Sequence, residues 1–278
     1  MSGSTPVISK NLFSRLAVAA VGIPIILGIV WGGGIWLAGL VTLITGLAAY
    51  EFIGSQPAEC PRESSTRKLA GLGAIGMATL GMAYGVYAGL GVALCVFILV
   101  SGAYAVIGGD PISRFPHLVL TLWGTLYTGL LYQFLYHIRM ATYEGMAWTL
   151  FLLATLWIGD TAAMWVGKTV GKRKLAPTVS PNKTVAGAIA CAIAAGLVGV
   201  VFAMSGWVTM SAMSAAVIAV IISTLGQVGD LVKSLWKRSI GVKDSSQIIP
   251  GHGGVIDRFD SLAFAAPTLY LILQVVQV

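Results

Sequence analysis

Long apolar stretches alternate with short polar segments along the whole chain. A bilayer core of about 30 Å is crossed by about 20 mostly apolar helical residues, with a range of roughly 17–25. By that criterion the sequence predicts about nine membrane-spanning helices, although only Gly32, Gly33 and Gly34 separate the first two, which could instead form one broken re-entrant unit. The predicted segments are 16–31, 33–49, 69–88, 90–107, 117–136, 146–167, 185–204, 211–232 and 258–277.

The composition supports the same class of protein. Hydrophobic residues make up 57% of the chain, charged residues make up 10%, and the mean hydropathy is +0.88. These values lie far outside the usage of soluble globular proteins. We therefore predict an all-α polytopic integral membrane protein.

The basic residues indicate how the helices are oriented. Lysine and arginine near the ends of membrane helices stay on the cytoplasmic side. If the N-terminus is cytoplasmic, 16 of the 17 basic residues fall on that side and only Arg139 lies outside. We expect a multi-pass protein of the cell membrane whose net charge of +7 faces the cytoplasm and anionic lipid. No basic fold motif suggests nucleic-acid binding.

A stripe of small residues is present at Gly81-x-x-x-Gly85-x-x-x-Gly89. Small residues spaced in this way let two membrane helices approach closely. The stripe fits either an internal helix contact or a homodimer, and the sequence does not choose between them.

Four of the ten acidic residues lie where a carboxylate is costly. Asp160 comes eight residues before Lys168, which places it about 12 Å inside that end of its helix. Burying it without a partner would cost at least ~2.5 kcal/mol. Asp230 lies at the end of the eighth predicted helix, and Asp257 and Asp260, three residues apart, share one face of the ninth. All four are predicted to point toward one membrane face.

Each of these acids also has an ordinary structural explanation. Asp257 or Asp260 alone would serve as a helix N-cap, and Asp160 could form a structural ion pair with a lysine. Taken together, beside lysines and glycine-rich loops, they are the hard oxygen ligands that Mg²⁺ requires. The lysines and arginines are then the groups that hold phosphates.

The motifs around these acids resemble one family, the phosphatidate cytidylyltransferases or CDP-diacylglycerol synthases. The resemblance is specific over about residues 155–268 and departs at Ala186, where similar proteins usually carry an acidic or amide side chain. The downstream blocks are Ser234-Leu235-Trp236-Lys237-Arg238, Lys243-Asp244-Ser245-Ser246, Ile249-Pro250, His252-Gly253-Gly254 and Asp257-Arg258-Phe259-Asp260. The upstream blocks are Gly159-Asp160-Thr161-Ala162-Ala163, Gly171-Lys172-Arg173-Lys174-Leu175-Ala176-Pro177 and Ser180-Pro181-Asn182-Lys183-Thr184.

The resemblance implies an enzyme that makes CDP-diacylglycerol and pyrophosphate from CTP and phosphatidic acid at the cytoplasmic face of the lipid bilayer. It implies Mg²⁺ as cofactor and leaves open a second cation and a homodimer. Residues 1–150 would form the N-terminal and middle transmembrane helices, which serve packing and any dimer contact. Residues 151–278 would form the catalytic transmembrane region with its cytoplasmic loops.

The resemblance also assigns candidate site residues. Asp230, Asp257, Asp260, Lys237 and Arg238 are the candidate catalytic residues. Asp230 and Asp257 are the first choice as metal ligands, and Asp260 and Asp160 the second. The candidate substrate-binding residues are Lys172, Lys174, Ser180, Lys183, Lys243, Asp244, His252, Gly253, Gly254 and Arg258.

Two other function classes compete with this interpretation. A transporter or channel also carries carboxylates within the membrane, but it would place them at mid-depth on broken helices of related halves. Another CTP-using or CDP-alcohol lipid enzyme is the second alternative. The phosphotransferases of that group share an aspartate-rich motif with Asp-Gly and Ala-Arg pairs, which we do not find here.

Overall fold

The structure is a computed structural model that describes residues 8–54, 63–106, 111–141, 144–242, 245–246, 248 and 253–276. Within these residues the chain forms α-helices, two π-helical turns and one small sheet. The helices are α1 (Ile8–Gly32), α2 (Gly34–Gly54), α3 (Glu63–Tyr84), α4 (Leu90–Val106), α5 (Pro111–Thr125), α6 (Phe134–Ala141), α7 (Gly145–Thr169), α8 (Val185–Met204), α9 (Ala212–Ser239) and α10 (Ile256–Val276). The π-helical turns are Gly85–Gly89 and Leu126–Leu130.

The prediction of an all-α polytopic membrane protein is confirmed. Among the described residues, 7 helical segments are long and apolar enough to cross a membrane. One of them, Lys68–Val106, contains most of α3 and all of α4, and among the described side chains of α1 the apolar stretch Ala20–Gly32 is shorter than these segments. The predicted number of nine is therefore not confirmed.

The first two predicted segments form separate helices. The chain between them passes through Gly33 and Gly34, whose φ angles of 58° and 46° lie in the left-handed region that favours glycine. Arg139 closes the end of α1, because its Nε donates to the carbonyl of Val30 at 2.9 Å and its Nη2 to that of Trp31 at 3.2 Å. A cation at the C-terminus of a helix also complements the helix dipole.

The glycine stripe is used inside the molecule. Helix α3 ends at Tyr84, and the π-helical turn that follows begins at Gly85 with a φ of 85°. A Cβ atom at Gly81 would collide with the side chain of Gln133, and one at Gly89 would collide with the backbone of Leu80. Two of the three glycines thus serve internal contacts, and the homodimer stays a prediction.

Helices α7 to α10 pack side by side in an antiparallel arrangement that brings their polar ends together. A short antiparallel hairpin joins α7 to α8; its strands are β1 (Lys174–Ala176) and β2 (Ser180–Thr184). This hairpin is an addition to the predicted all-α fold. Large side chains fill the interior of the bundle, and Trp148, Phe151, Ile222 and Leu269 are fully buried.

Close helix contact in this bundle depends on glycine at particular positions. A Cβ atom at Gly187 would lie 2.7 Å from the carbonyl oxygen of Ala163 in α7. Because backbone cannot easily move away, we expect Gly187→Ala to lower the free energy of unfolding by about 1–3 kcal/mol. Thermal unfolding in detergent measures the change. Gly102→Ala in α4 is the matched control, since its added methyl meets nothing within 4 Å. Equal unfolding temperatures for the two variants would contradict the prediction.

Candidate active site

Three carboxylates converge on the ammonium group of Lys233. Its Nζ lies 2.8 Å from Oδ1 of Asp230 and 3.4 Å from Oδ1 of Asp257, and it also forms an ion pair with Oδ2 of Asp260. Lys233 and Asp230 are one helical turn apart on α9, whereas Asp257 and Asp260 share one face of α10. The packing of α9 on α10 therefore assembles the cluster, and only 7% of Lys233 is exposed.

Two further lysines extend the cluster on either side. Lys183 at the end of β2 lies 2.6 Å from Oδ2 of Asp230, and it also reaches the carbonyl of Gln227 at 3.4 Å. Lys237 lies one turn beyond Lys233 on α9 and donates to Oδ1 of Asp257 at 2.6 Å. Charges of opposite sign thus alternate through the cluster, which offsets the cost of burying each one.

A cavity of about 740 Å³ opens beside these charges. It lies between α7, α8, α9, α10 and the hairpin, and its volume falls within the range of small-molecule sites, roughly 300–1,000 Å³. Its charged lining residues are Asp160, Lys168, Lys174, Lys183, Asp230, Lys233, Asp257 and Asp260. Its apolar lining includes Ala163, Met164, Leu175 and Ala188. The structure thus brings all four predicted acids and two of the predicted lysines to one cavity.

The hairpin holds Lys174 and Lys183 at the cavity because both of its strands are anchored. Lys174 pairs with Thr184 across the sheet, and Val185 N donates to the carbonyl of Arg173 at 2.9 Å. Thr184 is also the N-cap of α8, since its Oγ1 accepts a hydrogen bond from Gly187 N at 3.1 Å.

The glycine-rich segment before α10 holds Asp257. Oδ2 of Asp257 accepts hydrogen bonds from Ser245 N at 3.2 Å, from Ser245 Oγ at 3.1 Å and from Gly254 N at 3.4 Å. Gly253 has a φ of 80°, so the turn favours glycine there. Gly253 and Gly254 are predicted to approach phosphate, and here the Gly254 amide donates to Asp257.

The other candidate residues lie further from the cluster. Lys172 is exposed before β1, Ser180 begins β2, and Arg258 is exposed in the first turn of α10. Arg238 Nε reaches the carbonyl of Val179 in the hairpin at 3.4 Å. The candidates Lys243, Asp244 and His252 lie outside the described residues.

Two residues at this site were missed by the sequence interpretation. Lys233 carries a local signal, because it stands three residues after Asp230 and four before Lys237 and so shares their helical face. Glu51 at the end of α2 is 2% exposed and accepts hydrogen bonds from Val255 N at 2.6 Å and Ile256 N at 3.0 Å. The sequence marks Glu51 only as a carboxylate at the end of an apolar helix.

The carboxylate oxygens of the cluster are suited to bind a hard divalent cation. Carboxylate oxygens from separate helices are the ligands that Mg²⁺ takes, completed by water and substrate phosphates. No group of three or more acidic, histidine or cysteine side chains forms a ready-made metal site among the described residues. In the cluster, the Lys233 ammonium lies between the carboxylates of Asp230, Asp257 and Asp260.

Comparison with known proteins relates the whole chain to one family. The model of the cytidylyltransferase family matches residues 13–276. A curated protein of Staphylococcus saprophyticus, named phosphatidate cytidylyltransferase, is 40% identical over 183 residues, which cover 64% of this chain and 66% of that protein. One of the same name from Staphylococcus epidermidis is 38% identical over 177 residues, with the same coverage of both chains. A third, from Bacillus subtilis, is 38% identical over 148 residues, or 53% of this chain and 55% of that protein.

The family model spans nearly the whole chain and includes every helix that contributes to the cavity. The matched part covers somewhat less than two thirds of the length of these curated relatives. The chain belongs to the cytidylyltransferase family.

Proposed function

We propose that this chain transfers the cytidylyl group of CTP to phosphatidic acid, which gives CDP-diacylglycerol and pyrophosphate. The observation that carries the proposal is the cavity of about 740 Å³ where lysines and carboxylates of three helices and a hairpin meet. The names of the relatives from the three bacteria support the same reaction.

The reaction is a displacement at phosphorus. A phosphate oxygen of phosphatidic acid attacks the α-phosphorus of CTP and forms a new P–O bond. The bond from that phosphorus to the bridging oxygen of the β-phosphate breaks, and pyrophosphate leaves with the electron pair. A phosphate monoester is largely ionised at neutral pH, so the attack needs no strong general base. The protein must align two anions and stabilise the charge on the leaving group.

The lysines of the cavity are suited to that task. Lys183 and Lys233 are largely buried beside the carboxylates, where a positive charge acts on a phosphate with little screening by water. Lys168 and Lys174 are more exposed on the cavity wall and would draw the anionic nucleotide in from water. Lys237 is placed to hold Asp257.

We further propose that Mg²⁺ is the cofactor and that Asp230 and Asp257 are its first ligands, with Asp260 and Asp160 next. When bound, the ion supplies positive charge that favours departure of pyrophosphate. Its binding requires that Lys233 share the carboxylates it now contacts.

The cavity is also suited to a lipid substrate. Met164 lines it and is 49% exposed, and the neighbouring Trp165 is 66% exposed on the same helix. Exposed apolar side chains on a membrane helix face lipid. We propose that the cavity opens to the cytoplasm for CTP and sideways to the bilayer, so that the acyl chains of phosphatidic acid stay in lipid. The strong bias of basic residues toward one side supports that orientation.

A direct assay tests the proposal. Purified protein in detergent is incubated with phosphatidic acid, labelled CTP and Mg²⁺, and CDP-lipid and pyrophosphate are measured. We expect both products in equal amounts, and we expect EDTA to stop their formation. Undiminished turnover in EDTA would exclude the metal, and the absence of CDP-lipid under all conditions would exclude the reaction. Ion flux in vesicles without consumption of CTP would favour a transporter.

A further inference from the structure

We infer that Glu51 of α2 is a positioning residue for Asp257, which it holds in place through the first residues of α10 and the serines before that helix. The inference deepens the proposed function, and its kinetic test depends on that function. Its structural test does not.

The Glu51 carboxylate binds four donors on a distant part of the chain. Oε1 accepts from Ser246 Oγ at 2.7 Å and from Val255 N at 2.6 Å. Oε2 lies 3.1 Å from Ser245 Oγ and accepts from Ile256 N at 3.0 Å. The first amides of a helix have no partner within the helix, so a side chain from α2 caps α10. The negative charge also suits the positive end of the helix dipole.

Ser245 connects this cap to the active site. Its Oγ lies 3.1 Å from Oε2 of Glu51 and 3.1 Å from Oδ2 of Asp257, and its backbone N also donates to Asp257. Gly254 lies between the same groups, and a Cβ atom there would collide with Ser245 Oγ and with the Glu51 carboxylate. The two carboxylates therefore both contact Ser245 and lie on either side of Gly254.

The residue after Glu51 fixes the other helix of the cluster. The ring of Phe52 stacks on that of Trp236 in α9, with centroids 4.7 Å apart and an interplanar angle of 17°. Trp236 immediately precedes Lys237, which contacts Asp257. The end of α2 thus contacts both α9 and α10 at the point where they bring Asp257 and Lys237 together.

Positioning and simple stabilisation predict different results. A cap that only stabilises the fold changes the fraction of folded protein, whereas a positioning residue changes the turnover of each folded molecule. Displacing a reacting group by about 1 Å can cost about 100-fold in rate. Glu51→Gln keeps the size of the side chain but replaces an acceptor by an NH₂ group, which cannot accept from the amides or serines.

The kinetic test compares Glu51→Gln with wild type, with turnover expressed per folded molecule. We expect kcat to fall about 10- to 100-fold while KM for CTP stays within about threefold, because alignment of the reacting groups is lost rather than binding. The matched control is Glu144→Gln, which makes the same exchange away from the cavity. Glu144 accepts a hydrogen bond from Thr209 N at 3.0 Å, and the two residues lie just before the first residues of α7 and α9. The kcat of Glu144→Gln should equal that of wild type. Wild-type kcat for Glu51→Gln would overturn the inference.

The structural test follows the exposure of Val255, which is 3% exposed. In a chain whose three cysteines are replaced by alanine, Val255→Cys reports on the segment through its rate of labelling by a maleimide. We expect labelling to be about tenfold faster with Glu51→Gln than without it, because loss of the cap lets the start of α10 open more often. It should be unchanged with Glu144→Gln. Equal labelling rates with and without Glu51→Gln would overturn the inference, whether or not the wild-type protein makes CDP-lipid. A wild-type protein that made no CDP-lipid would refute the proposed function alone.

A milder variant covers the case in which Glu51→Gln does not fold. Ser246→Ala removes one donor of the Glu51 carboxylate and leaves its contacts with Val255 and Ile256. We expect its kcat to be about threefold to tenfold lower, in line with the net loss of one typical hydrogen bond. A kcat equal to that of wild type would count against positioning by Glu51.

Discussion

Replacing Asp257 by asparagine is expected to lower CDP-lipid formation by about 10²–10³-fold or more, the range seen when one preorganised electrostatic contact of an active site is removed. Asp257 contacts Lys237 at 2.6 Å and Lys233 at 3.4 Å through one oxygen, and three donors at Ser245 and Gly254 through the other. Both carboxylate oxygens of Asp257 thus face hydrogen-bond donors. An asparagine must point its NH₂ group at one of them, and it lacks the charge that balances the two lysines.

The measurement is turnover of phosphatidic acid and labelled CTP by purified protein. Asp230→Asn should behave in the same way, because Asp230 contacts Lys183 at 2.6 Å and Lys233 at 2.8 Å. Membrane insertion and elution in detergent should match wild type, which separates loss of catalysis from loss of folding. The control Glu144→Gln makes the same exchange of carboxylate for amide far from the cavity. Wild-type turnover in purified Asp257→Asn would remove this residue from the site.

The sequence predicts the helices best where hydropathy alone decides their ends. The predicted segment 185–204 coincides with α8, Val185–Met204. The predicted segment 211–232 is too short, since α9 continues to Ser239. Hydropathy ends a segment where charges begin, but this helix continues because its charged side chains face α10 and the cavity. Lys233 and Lys237 of the site lie on that charged extension.

The middle of the chain was harder to predict. The predicted segment 117–136 corresponds to the end of α5, a π-helical turn at Leu126–Leu130 and the start of α6. These pieces are mostly apolar, with polar residues scattered through all of them, so no local change in composition marks the breaks. Contacts with neighbouring helices, such as that of Gly129 with Ala74 in α3, accompany the change in helical geometry.

The candidate site was predictable to the extent that its residues are costly to bury. Asp160, Asp230, Asp257 and Asp260 were singled out for that reason, and all four line the cavity. Glu51 could not be connected to them, because its partners lie 194 to 205 residues further along the chain. Contacts over such distances depend on helix packing, which no local pattern records.

Replacing Lys233 by methionine is expected to abolish turnover and to destabilise the protein by about 3–5 kcal/mol, the cost of removing one partner from a buried ion pair. Lys233 is the only described residue that contacts all of Asp230, Asp257 and Asp260. Without its ammonium group, Asp260 loses its one ion pair among the described residues and remains as a buried carboxyl group without a counter-charge. Thermal unfolding in detergent measures the loss of stability.

A second substitution tests the charge balance between Lys233 and Asp260. In the double variant Lys233→Met/Asp260→Asn, a neutral amide replaces the Asp260 carboxylate that Lys233 contacts. We therefore expect a large part of the lost stability to return. Turnover should not return, because the cavity then lacks both the Lys233 ammonium and the Asp260 carboxylate. Recovery of stability would assign Lys233 the role of counter-charge to Asp260 in the carboxylate cluster. Stability that stays as low as in Lys233→Met alone would contradict that role, and recovery of turnover as well would show that the reaction needs neither side chain.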